Sequence, residues 1–252
     1  MSTYRTIVTA AQTKLLEAAR QLSCKDFVPI GSETVTAFNR LTAAIRKIEH
    51  LKKRGLIYMT PMTKNVAVLF ARSDSLYATM PGCDVYTAER DARSFPGGKP
   101  VIAHPPCRAW GRLRHFAKPL PGEKELALFA VEQVRKNGGV LEHPFKSTLW
   151  KAAGLPRIGE RDAWGGYTIC FPQWWLGHRA EKASLFYIVG VEPDQLPPLP
   201  LRIGEAEFVI QSRKRSGHKP HVPKRERELT PAPMAAWLYK VAEKVRAREL
   251  SI

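Results

Sequence analysis

Apolar residues near the N-terminus recur at helical spacing. Residues 6–20 and 33–53 repeat apolar side chains every three to four positions, which is the spacing of one face of a helix. The turn between these segments is marked by Gly31-Ser32, and the second segment ends in a basic run. We therefore predict a basic helical appendage over residues 1–62.

Beyond residue 62 the pattern changes to short apolar runs that alternate with turns and helical stretches. The runs that predict strands are 66–71, 84–88, 100–103, 140–142 and 184–191. Between the third and fourth runs, residues 123–136 have the periodicity of an amphipathic helix. Strands separated by helices favour a mostly parallel sheet with helices on both faces. We predict an α/β fold with three layers over residues 63–252.

The end of the chain has a different character. Residues 192–200 form a proline-rich connector, and residues 211–227 carry seven Lys or Arg, two His and a single acidic residue. Thr230-Pro231 then provides a capping residue and a proline at the first helical position. The apolar spacing that follows predicts an amphipathic C-terminal helix.

The charge balance points to a polyanionic partner. The 252 residues contain 40 Lys and Arg against 23 Asp and Glu, a formal net charge of +17. Nucleic acid is the commonest polyanion inside a cell, so it is the expected partner; general solubility of a basic protein is the alternative. The appendage over residues 1–62 is accordingly either a DNA-binding element or a solvated cover of the main domain.

The lengths of the apolar runs and the spacing of the cysteines indicate in which cellular compartment the protein is expected. The longest apolar runs are far shorter than the roughly 18 to 20 residues of a membrane span, and polar residues interrupt the N-terminus where a signal peptide would be apolar. We expect no membrane partner and a cytoplasmic location. The four cysteines form no C-x-x-C pair, which predicts reduced thiols and no metal site.

Three residues of reactive type lie next to predicted strands. Cys107 follows the third strand in a turn stiffened by two prolines, Glu142 ends the fourth, and Arg179 precedes the last. Ligands of open α/β sheets bind at the carboxyl ends of strands. A thiol, a carboxylate and a cation together are the parts of a nucleophilic site.

Cationic neighbours bear on the reactivity of Cys107. Arg108, Arg112 and His104 are close to it in sequence, and a thiol beside such side chains has its thiolate favoured. We therefore expect Cys107 to attack at neutral pH. The alternative is an ordinary small residue buried after a strand.

Two enzyme classes are excluded by their motifs. A zinc nucleobase deaminase requires H-x-E and P-C-x-x-C, where the chain offers EHP and PPCRAW. A P-loop requires GxxxxGK followed by Ser or Thr, which does not occur. The sequence therefore does not predict a zinc deaminase or a P-loop nucleotide-binding protein.

The order of these motifs resembles that of the DNA cytosine-C5 methyltransferases. Pro106-Cys107 corresponds to that family's Pro-Cys turn, Glu142-His143-Pro144 to its Glu-Asn-Val turn, and Arg179-x-x-Lys182 to its Arg-rich motif. The run from Arg227 to Pro231 is similar to its late R-x-L-T element. The resemblance spans residues 65–238 and implies a Rossmann-like sheet of methyltransferase type.

The resemblance implies cytosine C5 methylation with S-adenosylmethionine through a covalent cysteine adduct. Cys107 would add to C6 of a flipped-out cytosine, Glu142 would contact N3, and Arg179 would orient the base or a phosphate. The residues implied for the cofactor are Phe70, Asp74, Glu89 and Pro105. Those implied for DNA contact are Arg108, Arg112, Lys182, Arg213, Lys214, Arg215, Lys224 and Arg225. Those available for base stacking are Trp110, Trp174 and Trp175.

The chain differs from the family near the cofactor site. Residues 70–75 contain no glycine, and ten residues separate Glu89 from the third strand, too few for the usual helix and strand. Two alternatives therefore stand beside methylation. One is a related enzyme that uses Cys107 and Glu142 on a different pyrimidine, on a free nucleotide or with another one-carbon donor. The other is a catalytically inactive DNA-binding protein of the same fold. A shortened, basic relative suits a phage or mobile element, so we expect a bacterial or phage-infected host cell.

Overall fold

The computed structural model describes residues 65–199, 201–210 and 219–245. All of them belong to the unit Lys64–Ile252. The helical appendage predicted over residues 1–62 lies outside the described residues, so it stays a prediction. The same holds for Arg213, Lys214 and Arg215 of the basic segment.

A six-stranded mixed sheet forms the centre of the described chain. The strands are β1 (Val66–Leu69), β2 (Cys83–Tyr86), β3 (Val101–Ala103), β4 (Gly139–Pro144), β5 (Tyr167–Pro172) and β6 (Ala183–Val189). Their order across the sheet is β2-β1-β3-β4-β6-β5. Strands β1 to β4 run parallel, β6 runs antiparallel to β4, and β5 runs antiparallel to β6. The sequence pattern predicted every strand except β5.

Helices of very different length accompany the sheet. Within the described ranges they are α1 (Glu123–Asn137), α2 (Leu149–Ala152), α3 (Lys224–Arg227) and α4 (Ala232–Glu243). Helices α1 and α4 confirm the two amphipathic helices predicted in this part of the chain. None of the helices in these ranges is long and apolar enough to cross a membrane.

The two long helices cover opposite faces of the sheet. Successive side chains of a strand point to opposite faces. Val66 and Val68 therefore lie in one buried cluster with residues of α4, and Ala67 and Leu69 lie in another with residues of α1. The sheet is enclosed between α4 and α1, which confirms the predicted α/β class.

The strand order reverses beside β1. From β1 the chain moves outward to β2 and then crosses to β3 on the other side of β1. The connection from β2 to β3 contains only one turn of 3-10 helix, Ala92–Ser94. In open α/β sheets a crevice opens at such a reversal, outside the carboxyl ends of the strands, and ligands bind there. Leu69 and Ala103 end the two strands concerned, so the residues after them border this crevice.

At Gly139, the first residue of β4, a side chain has no room. Its φ is +124°, and a Cβ there would collide with the backbone oxygen of Val101 and lie 2.6 Å from its nitrogen. We expect Gly139→Ala to lower the free energy of unfolding by about 1–3 kcal/mol more than Gly122→Ala does. Gly122 also has a left-handed φ, +73°, but a Cβ there meets nothing within 4 Å. Equal losses for the two variants in urea unfolding would contradict this steric account.

Candidate active site

Glu142 in β4 has a carboxylate whose two oxygens both accept hydrogen bonds. Ser184 Oγ donates to Oε1 over 2.6 Å, and Gln173 Nε2 donates to the same oxygen over 2.9 Å. His104 Nδ1 lies 3.3 Å from Oε2. The Glu142 side chain is only 11% exposed, so these neighbours determine where the carboxylate points.

Strand pairing brings two of these donors to Glu142. Strand β6 runs antiparallel beside β4 and pairs Ser184 with Pro144. Gln173 follows β5 directly, and its backbone N–H donates to the Lys182 carbonyl over 3.1 Å. Its side chain also donates to Ser184 Oγ over 2.9 Å. Ser184, Gln173 and Glu142 therefore form a closed set of hydrogen bonds at the start of β6.

A second series of hydrogen bonds reaches Glu142 through His104. His104 follows β3 directly, and its backbone N–H donates to the Leu69 carbonyl over 3.1 Å. The Tyr77 hydroxyl lies 3.1 Å from His104 Nε2. Burial raises the pKa of Tyr77 well above its usual value, so the hydroxyl stays protonated. It can therefore donate a hydrogen bond to the imidazole. His104 is then oriented with its Nδ1–H toward Glu142.

Glu142 is ionised despite its burial. Burial alone would raise the pKa of this carboxyl group, but the hydrogen bond from His104, the charge of Lys182 and the Ser184 hydroxyl outweigh it and lower the pKa to about 2. At neutral pH the site therefore holds a fixed negative charge. Such a charge accepts hydrogen bonds from a ligand and stabilises a proton placed next to it.

Cys107 lies in the turn after β3, one strand away from Glu142. Its carbonyl accepts hydrogen bonds from the backbone N–H groups of Trp110 (3.1 Å) and Gly111 (2.8 Å), which fix the turn. Cys107 is an exposed residue, but desolvation of its thiol and the charge of Glu142 raise the pKa of Cys107, and the charge of Lys182 opposes them. This direction corrects the prediction that Arg108, Arg112 and His104 favour the thiolate.

The cations that follow Cys107 in sequence explain this correction. Arg108 Nε donates to Glu123 Oε1 over 2.9 Å, and the two residues form an ion pair at the start of α1. Arg112 is exposed to solvent. Because Arg108 is engaged by a carboxylate fifteen positions away, its closeness to Cys107 in sequence does not make it a partner of the thiol.

Lys182 supplies positive charge near Cys107 and Glu142. Its charge lowers the pKa of both groups. Arg179, which the resemblance implies for orienting the base or a phosphate, instead donates to Glu226 Oε2 over 3.0 Å. Lys182, rather than Arg179, is the cation whose charge acts on both groups.

The backbone at Lys182 is strained. Its φ of +33° is left-handed although the residue is not glycine. Strain of this kind costs of order 1–3 kcal/mol and concentrates at functional sites. The Lys182 carbonyl accepts the hydrogen bond from Gln173 described above, so the same turn positions both the cation and a donor to Glu142.

Three of the residues implied for the cofactor follow the carboxyl ends of β1, β2 and β3. Phe70, the first residue after β1, has a φ of +61°, a conformation that glycine usually provides. Its ring meets that of Phe129 edge-on, with 6.4 Å between the centroids. Pro105 is buried after β3, and Glu89 is exposed beyond the end of β2.

Asp74, the fourth residue implied for the cofactor, is engaged by arginines. Arg72 Nε donates to Oδ1 over 2.8 Å, and Arg225 Nη2 donates to Oδ2 over 3.1 Å. These hydrogen bonds lower the pKa of Asp74. Asp74 therefore connects the segment after β1 to α3 and does not present a free carboxylate to a cofactor.

The residues implied for DNA contact are dispersed. Arg112 and Arg225 are exposed, whereas Arg108 is held by Glu123. Lys224 belongs to α3, but its side chain is outside the described part, as are Arg213, Lys214 and Arg215. Among the described members of this set, Lys182 is the one whose charge acts on both Cys107 and Glu142.

The three tryptophans differ in their availability for stacking. Trp110 is 3% exposed, and its Nε1 donates to the Lys124 carbonyl over 3.1 Å, so it is a core residue. Trp174 is also buried, with the Arg202 guanidinium 4.1 Å from its ring centroid. Trp175 is 37% exposed, which leaves it the most accessible of the three.

Sequence reasoning missed Tyr77, Gln173 and Ser184 as parts of the site. Ser184 is the second residue of β6, a strand that the pattern did predict, so a serine at the start of a buried run was the available signal. Gln173 follows the strand that the pattern did not predict, and Tyr77 lies in a turn without any motif. These residues reach Glu142 and His104 only through the order in which the strands pair, which the sequence pattern does not give.

His143, the neighbour of Glu142, is buried and neutral. Its Nδ1 lies 2.8 Å from Ser147 Oγ, and burial lowers the pKa of His143 from 6.5 to about 4. As the pH falls, the unfolded chain therefore binds a proton before the folded chain does. We expect this residue alone to reduce the free energy of unfolding by about 3 kcal/mol between about pH 6.5 and pH 4.

Urea unfolding across this pH range tests the prediction. His143→Gln retains a polar group for Ser147 but removes the titration, so its stability should depend less on pH than that of the wild type. An identical pH dependence in the two proteins would contradict the assignment.

The site has no marker of a known metal centre or family. Among the residues that the structure describes, no group of three or more His, Cys, Asp or Glu side chains is placed to hold a metal ion. Comparisons with protein-family models, with curated proteins and with solved structures found no match to the chain.

Proposed function

We propose that the chain modifies a pyrimidine base in DNA through Cys107 and Glu142, most simply by methylating C5 of cytosine. The observation that carries the proposal is a thiol and an ionised carboxylate at the carboxyl ends of the neighbouring parallel strands β3 and β4. Lys182 adds a positive charge that acts on both groups. A nucleophile, a carboxylate and a cation at one sheet edge are the groups that covalent catalysis on a base requires.

Cys107, Glu142 and Lys182 have different roles in the proposed reaction. The Cys107 thiolate forms a bond to C6, and the electron pair of the C5–C6 double bond moves onto C5. Glu142 contacts the N3 edge of the base, where its negative charge stabilises a proton on N3. Lys182 stabilises the thiolate before attack. Once C5 has gained its substituent, solvent water accepts the C5 proton, and the electron pair of that C–H bond restores the double bond. The S–C6 bond breaks with its electron pair leaving on sulfur as the thiolate, and N3 returns to solvent the proton that it took up from there.

S-adenosylmethionine fits the crevice beside β1 in part. When bound, it supplies a methyl group that an electron-rich carbon can take. Phe70 turns the backbone at the end of β1, and the exposed Glu89 offers a carboxylate to ribose hydroxyls at the end of β2. The reversal of strand order at β1 supports a nucleotide-type ligand at this edge. Asp74 does not contribute, because arginines hold its carboxylate.

A catalytically inactive DNA-binding protein is the second candidate. The raised pKa of Cys107 favours it, because a protonated thiol is a poor nucleophile. The net charge of +17 serves DNA binding under either candidate. The two candidates differ in cofactor binding and in formation of a covalent adduct.

Calorimetric titration of the full chain with S-adenosylmethionine and S-adenosylhomocysteine tests the cofactor assignment. We expect micromolar binding that Glu89→Ala weakens by about tenfold or more, since a hydrogen bond to a charged group is lost. Glu132→Ala, at an exposed glutamate of α1, should bind like the wild type. No binding to either compound by a folded chain that still binds DNA would contradict the methyltransferase proposal and favour the inactive protein or another donor.

A further inference from the structure

The segment that follows the Cys107 turn exposes large apolar side chains. We call the segment from Gly111 to Gly122 the 111–122 loop. In this loop Phe116 is 86% exposed, Leu113 is 46% exposed and Leu120 is 64% exposed. Single exposed apolar side chains are normal on a protein surface, whereas several within one short segment favour a contact with another molecule. Phe116 is the largest of them and the most exposed.

Both ends of the 111–122 loop are anchored to the domain. At its start the buried Trp110 donates from Nε1 to the Lys124 carbonyl over 3.1 Å, which ties the start of the loop to the helix that follows it. At its end the Glu123 carboxylate accepts the backbone N–H of Leu120 over 3.1 Å. The stem of the loop is therefore closed, while its tip lies in solvent.

The backbone of the tip is also ordered by local hydrogen bonds. The N–H of Arg114 donates to the Gly111 carbonyl over 3.1 Å, and the N–H of Phe116 donates to the Leu113 carbonyl over 2.9 Å. Residues Arg114–Phe116 form one turn of 3-10 helix. Phe116 is thus presented at a defined position relative to the stem.

The charge of the loop identifies the partner that fits it. The 111–122 loop contains Arg112, Arg114, His115 and Lys118 and no acidic residue. Phosphates complement these cations, and bases stack on an aromatic ring. A basic loop with an exposed ring therefore fits a nucleic acid.

We propose that Phe116 enters the base stack of duplex DNA beside the flipped base and holds the gap open. The inference rests on the proposed function, in which Cys107 reacts with that base. Flipping leaves an unstacked gap, and proteins that kink DNA insert side chains such as Phe between base steps. The loop begins where the Gly111 N–H donates to the Cys107 carbonyl, so the ring and the nucleophile belong to one continuous structural unit.

DNA binding by the full chain tests the proposal. Fluorescence anisotropy is measured with two labelled duplexes, one fully paired and one with a single abasic site beside 2-aminopurine. The wild type should bind the abasic duplex more tightly and change the 2-aminopurine fluorescence. Phe116→Ala should bind the abasic duplex about 5- to 150-fold more weakly, the loss expected for one stacked base, and should lose the fluorescence change. Phe116→Trp should retain both, because a larger ring also stacks.

The controls separate this inference from the proposed function. Ile203→Ala removes another apolar side chain, 99% exposed, from a different segment, and should bind like the wild type. Equal binding of the abasic duplex by the wild type and Phe116→Ala would overturn the inference, and so would failure of the wild type to bind either duplex. A Phe116 effect that persists in Cys107→Ser supports the inference even if no base is modified. Base modification without a Phe116 effect would overturn the inference and leave the proposed function intact.

Discussion

Cys107→Ser is expected to abolish base modification while leaving DNA affinity nearly unchanged. Serine has almost the same size as cysteine, but its hydroxyl is far less acidic and forms no nucleophile without a dedicated base. The wild-type rate should rise with pH, because desolvation and the charge of Glu142 raise the pKa of the Cys107 thiol that must ionise. Transfer of a labelled methyl group from S-adenosylmethionine to DNA of mixed sequence, measured beside DNA binding, checks both expectations.

Cys170→Ser is the matched control for this prediction. Cys170 lies in β5 as a partly buried free thiol, away from the turn after β3. It should retain both activity and DNA affinity. Undiminished methyl transfer by Cys107→Ser would contradict the role of Cys107 as nucleophile, and loss of DNA binding would mean that the variant had lost its fold.

Glu142→Gln is expected to lower the rate of base modification by about 10²- to 10⁴-fold. The amide has nearly the same shape as the carboxylate but carries no charge, so it cannot stabilise a proton on N3 of the base. Single-turnover rates with DNA in excess measure the effect on chemistry rather than on binding. A rate equal to the wild-type rate, in a variant with a normal unfolding transition, would contradict the assigned role.

Ser184→Ala provides a graded version of the same test. It removes the donor 2.6 Å from Glu142 Oε1 but keeps the carboxylate. Because that hydrogen bond helps to lower the pKa of Glu142 to about 2, its loss should raise this pKa and move the NMR titration profile of the Glu142 carboxyl carbon to higher pH. Ser94→Ala, at an exposed serine between β2 and β3, should leave the profile unchanged.

Much of the sheet and the positions of Cys107 and Glu142 could be predicted from the sequence. Strands such as β1 and β6 are continuous apolar runs, and in the structure they are buried on both faces. A run of this kind is recognisable locally. Cys107 and Glu142 were placed by the rule that residues after parallel strands meet at one edge of a sheet, and the parallel pairing of β3 with β4 agrees with that rule.

The surroundings of Glu142 could not be predicted, because they depend on strand direction. Strand β6 returns antiparallel between β4 and β5, and this return alone brings Ser184 and Gln173 to the carboxylate. Strand β5 carries Thr168 and Cys170 among its aromatic residues and ends in proline, so its local pattern is weak. Its strand conformation depends on pairing with β6.

The partners of the charged residues also could not be predicted. Arg108 follows Cys107 in sequence but pairs with Glu123, and Arg179 pairs with Glu226. Proximity along a chain does not determine which carboxylate reaches a guanidinium after folding. Only the three-dimensional structure showed that Lys182 is the cation that acts on the Cys107 thiol.

Covalent trapping is the most direct test of the central claim that Cys107 attacks C6 of a pyrimidine in DNA. The full chain is incubated with S-adenosylmethionine and mixed-sequence duplexes that contain 5-fluorocytosine or 5-fluorouracil, and its intact mass is measured. Fluorine at C5 cannot leave as a proton does, so the S–C6 bond should persist. We expect a stable protein–DNA adduct, mapped to Cys107 and absent in Cys107→Ser; the base that traps the protein identifies the pyrimidine. Binding of both duplexes without any adduct would contradict the account.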